Sequence, residues 1–187
     1  MLLFRINNYK LKEVIYMKLA SKVTSSAKEM IKNGYYYLYG AKGQKITKTL
    51  VNVLANTYKS VYNSAIISLA KSKIGKGHGI DCSGFVSKAT KTNYGGSSEI
   101  RRHMYDIHKV SDKSHIVDGM VCHRDGHVGL IEVTKAGKAY VLEAQSTATD
   151  LKRTPIERRL DKFTVYGKLK GINYLNANKY KKSKSTK

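Results

Sequence analysis

Two periods divide the chain: apolar residues recur every three to four positions in the first half, and alternate or run in short blocks in the second. The first pattern predicts helices and the second strands, because side chains share a helix face at 3.6-residue spacing and a strand face at every second residue. "KLKEVIYMKLASKV" (10–23) is weakly periodic and reads as a poorly fixed helix or arm, so 1–25 is set apart as an arm. Ser26 with Glu29 three positions on has capping-box spacing, and Asn33-Gly34 supplies a stop. "GYYYLYGAKG" (34–43) reads as extended chain or loop. Thr47 is placed to cap "KTLVNVLANTY", with Leu50, Val53, Leu54 and Thr57 on one face. "VYNSAIISLAKSKIGKGHG" (61–79) is a second helix running into a turn at Gly75, Gly77 and Gly79. Cys82, Phe85, Val86 and Ala89 then lie at i, i+3, i+4 and i+7, which sets Cys82 in the first turn of a helix on its core side. "EIRRHMYDIH" (99–108) fits another short helix.

Beyond residue 118 the period is two. Apolar runs at 120–123, 127–133 and 139–144 are separated by Arg124-Asp125-Gly126 and Lys135-Ala136-Gly137, both tight hairpin connections. "FTVYGKLKGINYL" (163–175) adds at least one strand. Helices first and an antiparallel meander after predict an α+β fold, with helices packed on an antiparallel sheet. Residues 176–187 read as a solvated basic tail with nothing to bury, and disorder is expected there.

At 187 residues the chain is most economically one domain, taken as 26–175. Its hydrophobic fraction of 41%, which already includes 14 tyrosines, is slightly low, so tyrosine is expected to carry part of the core mass. Formal charge is +22, from 35 Lys+Arg against 13 Asp+Glu, which points to a polyanionic partner: nucleic acid, an anionic membrane surface or an anionic wall polymer. No segment approaches the roughly 20 apolar residues of a membrane span. "MLLFRINNYK" has too short an apolar run for a secretory signal, and Met17 is an alternative start that also lacks one. The general secretory route is therefore not expected.

Two cysteines make no disulfide framework and no CxxC pair, and nothing favours a Cys82–Cys122 bridge. A thiol becomes a useful nucleophile as thiolate, which a helix N-terminus and a nearby imidazole both favour. Of six histidines, His78 lies in the glycine turn and His103, His108 and His115 in a polar helical stretch, where exposure is expected. His127 opens a strand directly after a glycine, where it can face an adjacent helix end. On the strand paired to it by a short hairpin, Glu143 is the one acid in an apolar run and can accept the second ring N–H. Cys122, His123 and His127 invite a zinc reading, but Cys122 and His123 point to opposite faces of a regular strand, so no metal is assigned.

"YLYGAKG", "DCSGF", "DGMVCHRDGHVGL" and "VLEAQS" occur in the order of the NlpC/P60 family of papain-like cysteine peptidases, which the chain resembles from about Tyr35 to Tyr174. The resemblance implies Cys82 as nucleophile, His127 as base and Glu143 as orienting residue, on a papain-like fold and without a cofactor. It further implies Tyr39, the tyrosine beside the nucleophile, Ser83 and Asp81 as substrate or oxyanion residues, with the Ser83 N–H as an oxyanion donor. Family members often carry His, Asn or Gln at the third position; the glutamate here also resembles that of CHAP amidases, and Gln145 is the alternative. A helical insertion at about 44–78 separates "YLYG" from "DCSG". The implied activity is cleavage of γ-D-glutamyl bonds to a diamino acid in peptidoglycan stem peptides, by a monomer that meets peptidoglycan and associated anionic wall polymers after membrane permeabilisation, as bacteriophage lysins do, or after dedicated export. An N-acetylmuramoyl-L-alanine amidase or a transacylase on the same fold stays open. So does a non-enzymatic basic protein binding nucleic acid, although no nucleic-acid motif is present and the only compact basic cluster before the tail is Arg101-Arg102-His103.

Overall fold

The computed structural model describes residues 18–182. A two-residue strand, β1 (Lys18–Leu19), leads into α1 (Ala20–Lys32), whose Ala20, Val23, Ala27 and Met30 form one buried stripe. The helix thus begins before the Ser26/Glu29 capping box. Core contacts of Ala20 and Val23 outweigh the local cap signal, and the Ser26 hydroxyl instead bonds back to the Lys22 carbonyl. Residues 18–25, expected to form part of an arm, are strand and packed helix; residues 1–17 lie outside the described part. Asn33 ends the helix and Gly34 turns the chain at φ 65°.

The tyrosine-rich segment is extended, as expected: β2 (Tyr35–Tyr37) pairs in parallel with β4 (His78–Ile80), which pairs antiparallel with β3 (Lys42–Lys45). Gly77 makes this junction possible, since a Cβ there would lie 1.9 Å from the Gly34 carbonyl oxygen. Between β3 and β4 run α2 (Lys48–Thr57) and α3 (Ser64–Lys71), capped by Thr47 and Asn63 side chains. The inward face of α2 is Val51 and Leu54; Val53, expected there, is 54% exposed. The insertion's own small core of Leu38, Ile46 and Tyr62 sets that rotation. Lys73, buried, ties the insertion to the sheet by donating to the Thr147 carbonyl at 2.6 Å and pairing with Asp150 at 2.5 Å.

Then come α4 (Cys82–Thr90) and α5 (Ser97–Arg102). The helix expected over 99–108 stops at Arg102, and β5 (Met104–Lys109) follows as an edge strand. Pairing with β10 (Val165–Leu169) supplies its backbone hydrogen bonds, and this outweighs the helical spacing of Met104, Ile107 and His108. The three apolar runs are β6 (Val121–Arg124), β7 (His127–Val133) and β8 (Ala139–Ser146). An unexpected strand, β9 (Asp150–Pro155), flanks β8, and a single turn, α6 (Ile156–Arg159), follows it. Six helices and a six-stranded antiparallel sheet of order β5-β10-β6-β7-β8-β9 make the described part an α+β fold. The last described strand, β11 (Ile172–Asn173), runs parallel to β1.

Alternation divides the sheet's side chains between two cores. Val121, Val128, Leu130 and Leu142 meet Val23, Ala27, Phe85 and Val86 of α1 and α4. Cys122, Ile131, Val141 and Tyr166 meet Ile156, Leu160 and Phe163 on the other face. Each fully buried aliphatic or aromatic side chain among these contributes about 1.5–3 kcal/mol. Residues 176–182, expected as disordered tail, are strapped down: the Asn178 carbonyl accepts from the Asp118 N–H, and the Tyr180 and Lys181 N–H groups bond to the Ile116 and Gly137 carbonyls. Ala177 and Tyr180 also pack against the two cores, apolar anchors hidden among the lysines of this segment. Residues 183–187 lie outside the described part. No described helix is long and apolar enough to cross a membrane.

Candidate active site

The chain enters α4 through Asp81, whose extended backbone and carboxylate form the N-cap. Its Oδ1 accepts the Gly84 N–H at 2.6 Å and the Ser83 hydroxyl at 2.9 Å. Lys42 closes this knot, with Nζ 2.9 Å from both Asp81 oxygens and 2.5 Å from Ser83 Oγ. Asp81 and the Ser83 hydroxyl, expected to meet substrate or oxyanion, are thus committed to holding the helix start; the Ser83 N–H lies by the sulfur of Cys82.

Cys82 is the first residue of α4 and 7% exposed. Its Sγ donates to the Gly126 carbonyl at 3.9 Å, and the Val128 N–H also lies by the sulfur. The thiol therefore rests against the backbone on both sides of His127. Burial, then the charge of Asp81, pushes its pKa up to about 11, against opposing pulls from the Val128 and Ser83 N–H groups and Lys42. Cys122 is also a free thiol, but it packs beside Ile131 and Tyr166 in the other core.

His127 is buried at the first position of β7, directly after Gly126 at φ 71°. Its Nε2 lies 2.7 Å from Glu143 Oε2, and its ring stacks on Phe163 with centroids 5.6 Å apart. That leaves Nδ1 as the ring nitrogen for proton transfer. Sulfur and imidazole share no hydrogen bond in this structure. Gly129 gives Glu143 and Cys122 room: a Cβ there would sit 3.3 Å from the Glu143 Cβ and 3.2 Å from the Cys122 Sγ.

Glu143 is fully buried on β8, so its charge needs strong partners. Arg159 supplies them, with Nη2 donating to Oε2 at 2.8 Å and Nε to Oε1 at 2.5 Å; Gln145 Nε2 donates to Oε1 at 2.9 Å. Burial raises the Glu143 pKa, but the hydrogen bonds from His127, Arg159 and Gln145 outweigh it and hold the carboxyl at about 2. Gln145, the alternative third residue, thus bonds to Glu143 while Glu143 bonds to the histidine. Arg159 was not foreseen; it follows an unforeseen strand, and no local spacing relates it to Glu143.

Tyr39, expected beside the nucleophile, is 39% exposed and packs edge-on against Tyr58. Tyr37 takes the inner place. Strand alternation turns it toward the core that holds Cys82, and burial with the charges of Cys82 and Asp81 raises its phenol pKa. His78 stacks on Tyr35, His103 tilts against Tyr94, and His108 stacks on His115 at 4.0 Å; the first three are half-buried, while His115 is exposed as expected. His123 is buried on β6 opposite Val128, and its Nε2 has no hydrogen-bond partner. No group of three or more described His, Cys, Asp or Glu residues is arranged to hold a metal ion.

The arrangement therefore sets a thiol against the backbone flanking an imidazole whose Nε2 is held by a clamped carboxylate. No family model matches the chain, and neither characterised proteins nor solved structures yield a significant match.

Proposed function

We propose that the protein is a papain-like cysteine hydrolase of the NlpC/P60 type that cleaves γ-D-glutamyl amide bonds in peptidoglycan stem peptides. One observation carries this reading: Cys82 begins a helix with its sulfur against the backbone flanking His127, and His127 Nε2 is held by buried Glu143. The order of the DCSGF, GHVG and VLEAQS motifs and the charge of +22 support the substrate class, because a basic protein accumulates on an anionic wall.

At neutral pH the sulfur keeps its proton, since burial and Asp81 set its pKa at about 11. His127 Nδ1 takes that proton as sulfur attacks the amide carbonyl. Backbone N–H groups at the start of α4 receive the oxyanion, each worth about 3–4 kcal/mol in comparable sites. Collapse of the tetrahedral species breaks the C–N bond, and His127 gives its proton to the leaving amine. Water, deprotonated by His127, then cleaves the thioester and restores the thiol. Glu143 stabilises the imidazolium formed in both halves. No step needs a metal or cofactor.

The test is digestion of purified peptidoglycan by the wild-type protein and Cys82→Ala, with products read by mass spectrometry. Fragments ending in γ-D-glutamate, made only by the wild type, bear the reading out. Release of glycan from the first alanine of the stem moves the activity to an amidase. An intact wall in both digests overturns the hydrolase.

A further inference from the structure

One well-formed cavity does not have the thiol in its lining. It has a volume of about 990 Å³ and lies along the Gly84–Ser87–Lys88–Lys91 side of α4, away from the face that carries Cys82, Phe85 and Val86 into the core. Four ammonium groups line it: Lys18 from β1, Lys42 from β3, and Lys88 and Lys91 from the end of α4. Tyr35 and Tyr94 form aromatic wall, and Lys88 Nζ lies 5.9 Å from the Tyr35 ring centroid. Glu29 is the acid in this lining, and its carboxylate is engaged by Asn33.

These charges are brought together by folding, not by sequence. Lys18 is held in place by donating to the Ala89 carbonyl at 2.6 Å and Ser26 Oγ at 2.9 Å. Lys91 is held at the helix end in a left-handed conformation, φ 61°. Lys42 is answered by Asp81, but Lys88 and Lys91 enter no ion pair among the described residues. Clustered like charges around a concave space repel one another, and an anion inside relieves that repulsion.

We propose that this cavity binds the phosphodiester groups of a flexible polyol-phosphate polymer, anchoring the protein to the anionic component of the wall on the back of the catalytic helix. The choice of polymer rests on the wall-hydrolase reading; the phosphate chemistry does not. A concave site favours a thin flexible chain over duplex nucleic acid, which presents its phosphates on a wide rigid cylinder. Cys82 is not part of the cavity lining, so a polymer held there does not occupy the thiol.

The test is calorimetric titration of the full-length protein with poly(glycerol phosphate), at one physiological ionic strength. Lys88→Gln/Lys91→Asn removes two cavity charges while keeping an asparagine where the backbone is left-handed. Lys59→Gln/Lys71→Gln removes the same charge from exposed positions on the helical insertion. The cavity pair is expected to weaken binding about tenfold, equivalent to ~1.4 kcal/mol, and the control pair less than about threefold. Lys88→Arg/Lys91→Arg keeps the affinity, and circular dichroism checks that each variant is folded. Equal losses from the two neutralised pairs, or no binding by the wild type, overturn the site. Tighter, equally cavity-dependent binding of a single-stranded oligonucleotide with the same number of phosphates overturns the wall polymer as ligand. The polymer contains no stem-peptide amide and Cys82→Ala must bind it like the wild type, so this outcome is independent of whether the wall is digested.

Discussion

Arg159 grips both oxygens of Glu143, and the same carboxylate holds the ring of His127. A guanidinium from a one-turn helix thus keeps a fully buried acid ionised beside an imidazole. The planar fork matters as well as the charge, since it fixes the carboxylate plane and through it the ring.

Removing Arg159 leaves a buried carboxylate without its guanidinium partner. Arg159→Ala is expected to destabilise the fold by about 3 kcal/mol, and Arg159→Lys by less, because a single ammonium cannot reproduce the fork. Urea denaturation at pH 7 measures both. Unchanged stability in Arg159→Ala would mean that the guanidinium is not what offsets the buried charge.

Glu143 also sets an acid limit. Its carboxyl is held at about 2 against a usual 4.5, so the folded state binds this proton less readily than the unfolded one. The resulting stability is fully present above pH 4.5 and is lost as pH falls through 2, a contribution on the order of 3 kcal/mol. Glu143→Gln should flatten that part of the stability–pH curve and lower the rate of wall digestion by up to about 10⁴-fold. Denaturation between pH 2 and 6, with digestion assayed at neutral pH, checks both effects. A wild-type curve no steeper than that of Glu143→Gln contradicts the first.

The thiol provides a chemical readout. With His127→Ala no base is left, and a pKa of about 11 leaves little thiolate at pH 7. Iodoacetamide should then label Cys82 about 100-fold more slowly than an ordinary free thiol, with the rate rising as pH approaches 11. Peptide mapping assigns the label, and Cys122 in the far core should stay unmodified. Fast labelling at pH 7 in this variant would show that the sulfur is ionised without the imidazole.

His123 carries a buried nitrogen with no partner. Replacing it with a similarly shaped apolar ring removes a desolvated polar atom, so His123→Phe should leave stability unchanged or raise it by about 1 kcal/mol. Thermal denaturation measures the difference. A clear loss would mean that the imidazole is bonded in solution.

The centre of the site was legible because each part of it is local. Asp81 caps α4 through the next three residues, and one hairpin carries Glu143 back beside His127. What lay hidden depends on distant pairing. In β9 only Leu151 is buried among charged neighbours, so nothing in "DLKRTP" announces a strand until β8 supplies its partner. Arg159 follows from that strand. Tyr37 and Tyr39 share a strand-like period, and only the packing of Tyr39 on Tyr58 sends one outward while the other faces the thiol.

Lys18 pairs with Ile172, and Leu19 with Asn173, in parallel register. The first described strand therefore waits for the last before its ladder can form. During synthesis, α1 and α4 leave the ribosome well before β11, so the junction between β1 and β11 forms only after residue 173 has emerged. Contacts of such sequence separation slow folding, and this closure cannot precede the emergence of β11. A ribosome-stalled chain ending before residue 172 should accordingly display an open N-terminal edge, with proteases cutting near Leu19 until the final strand arrives.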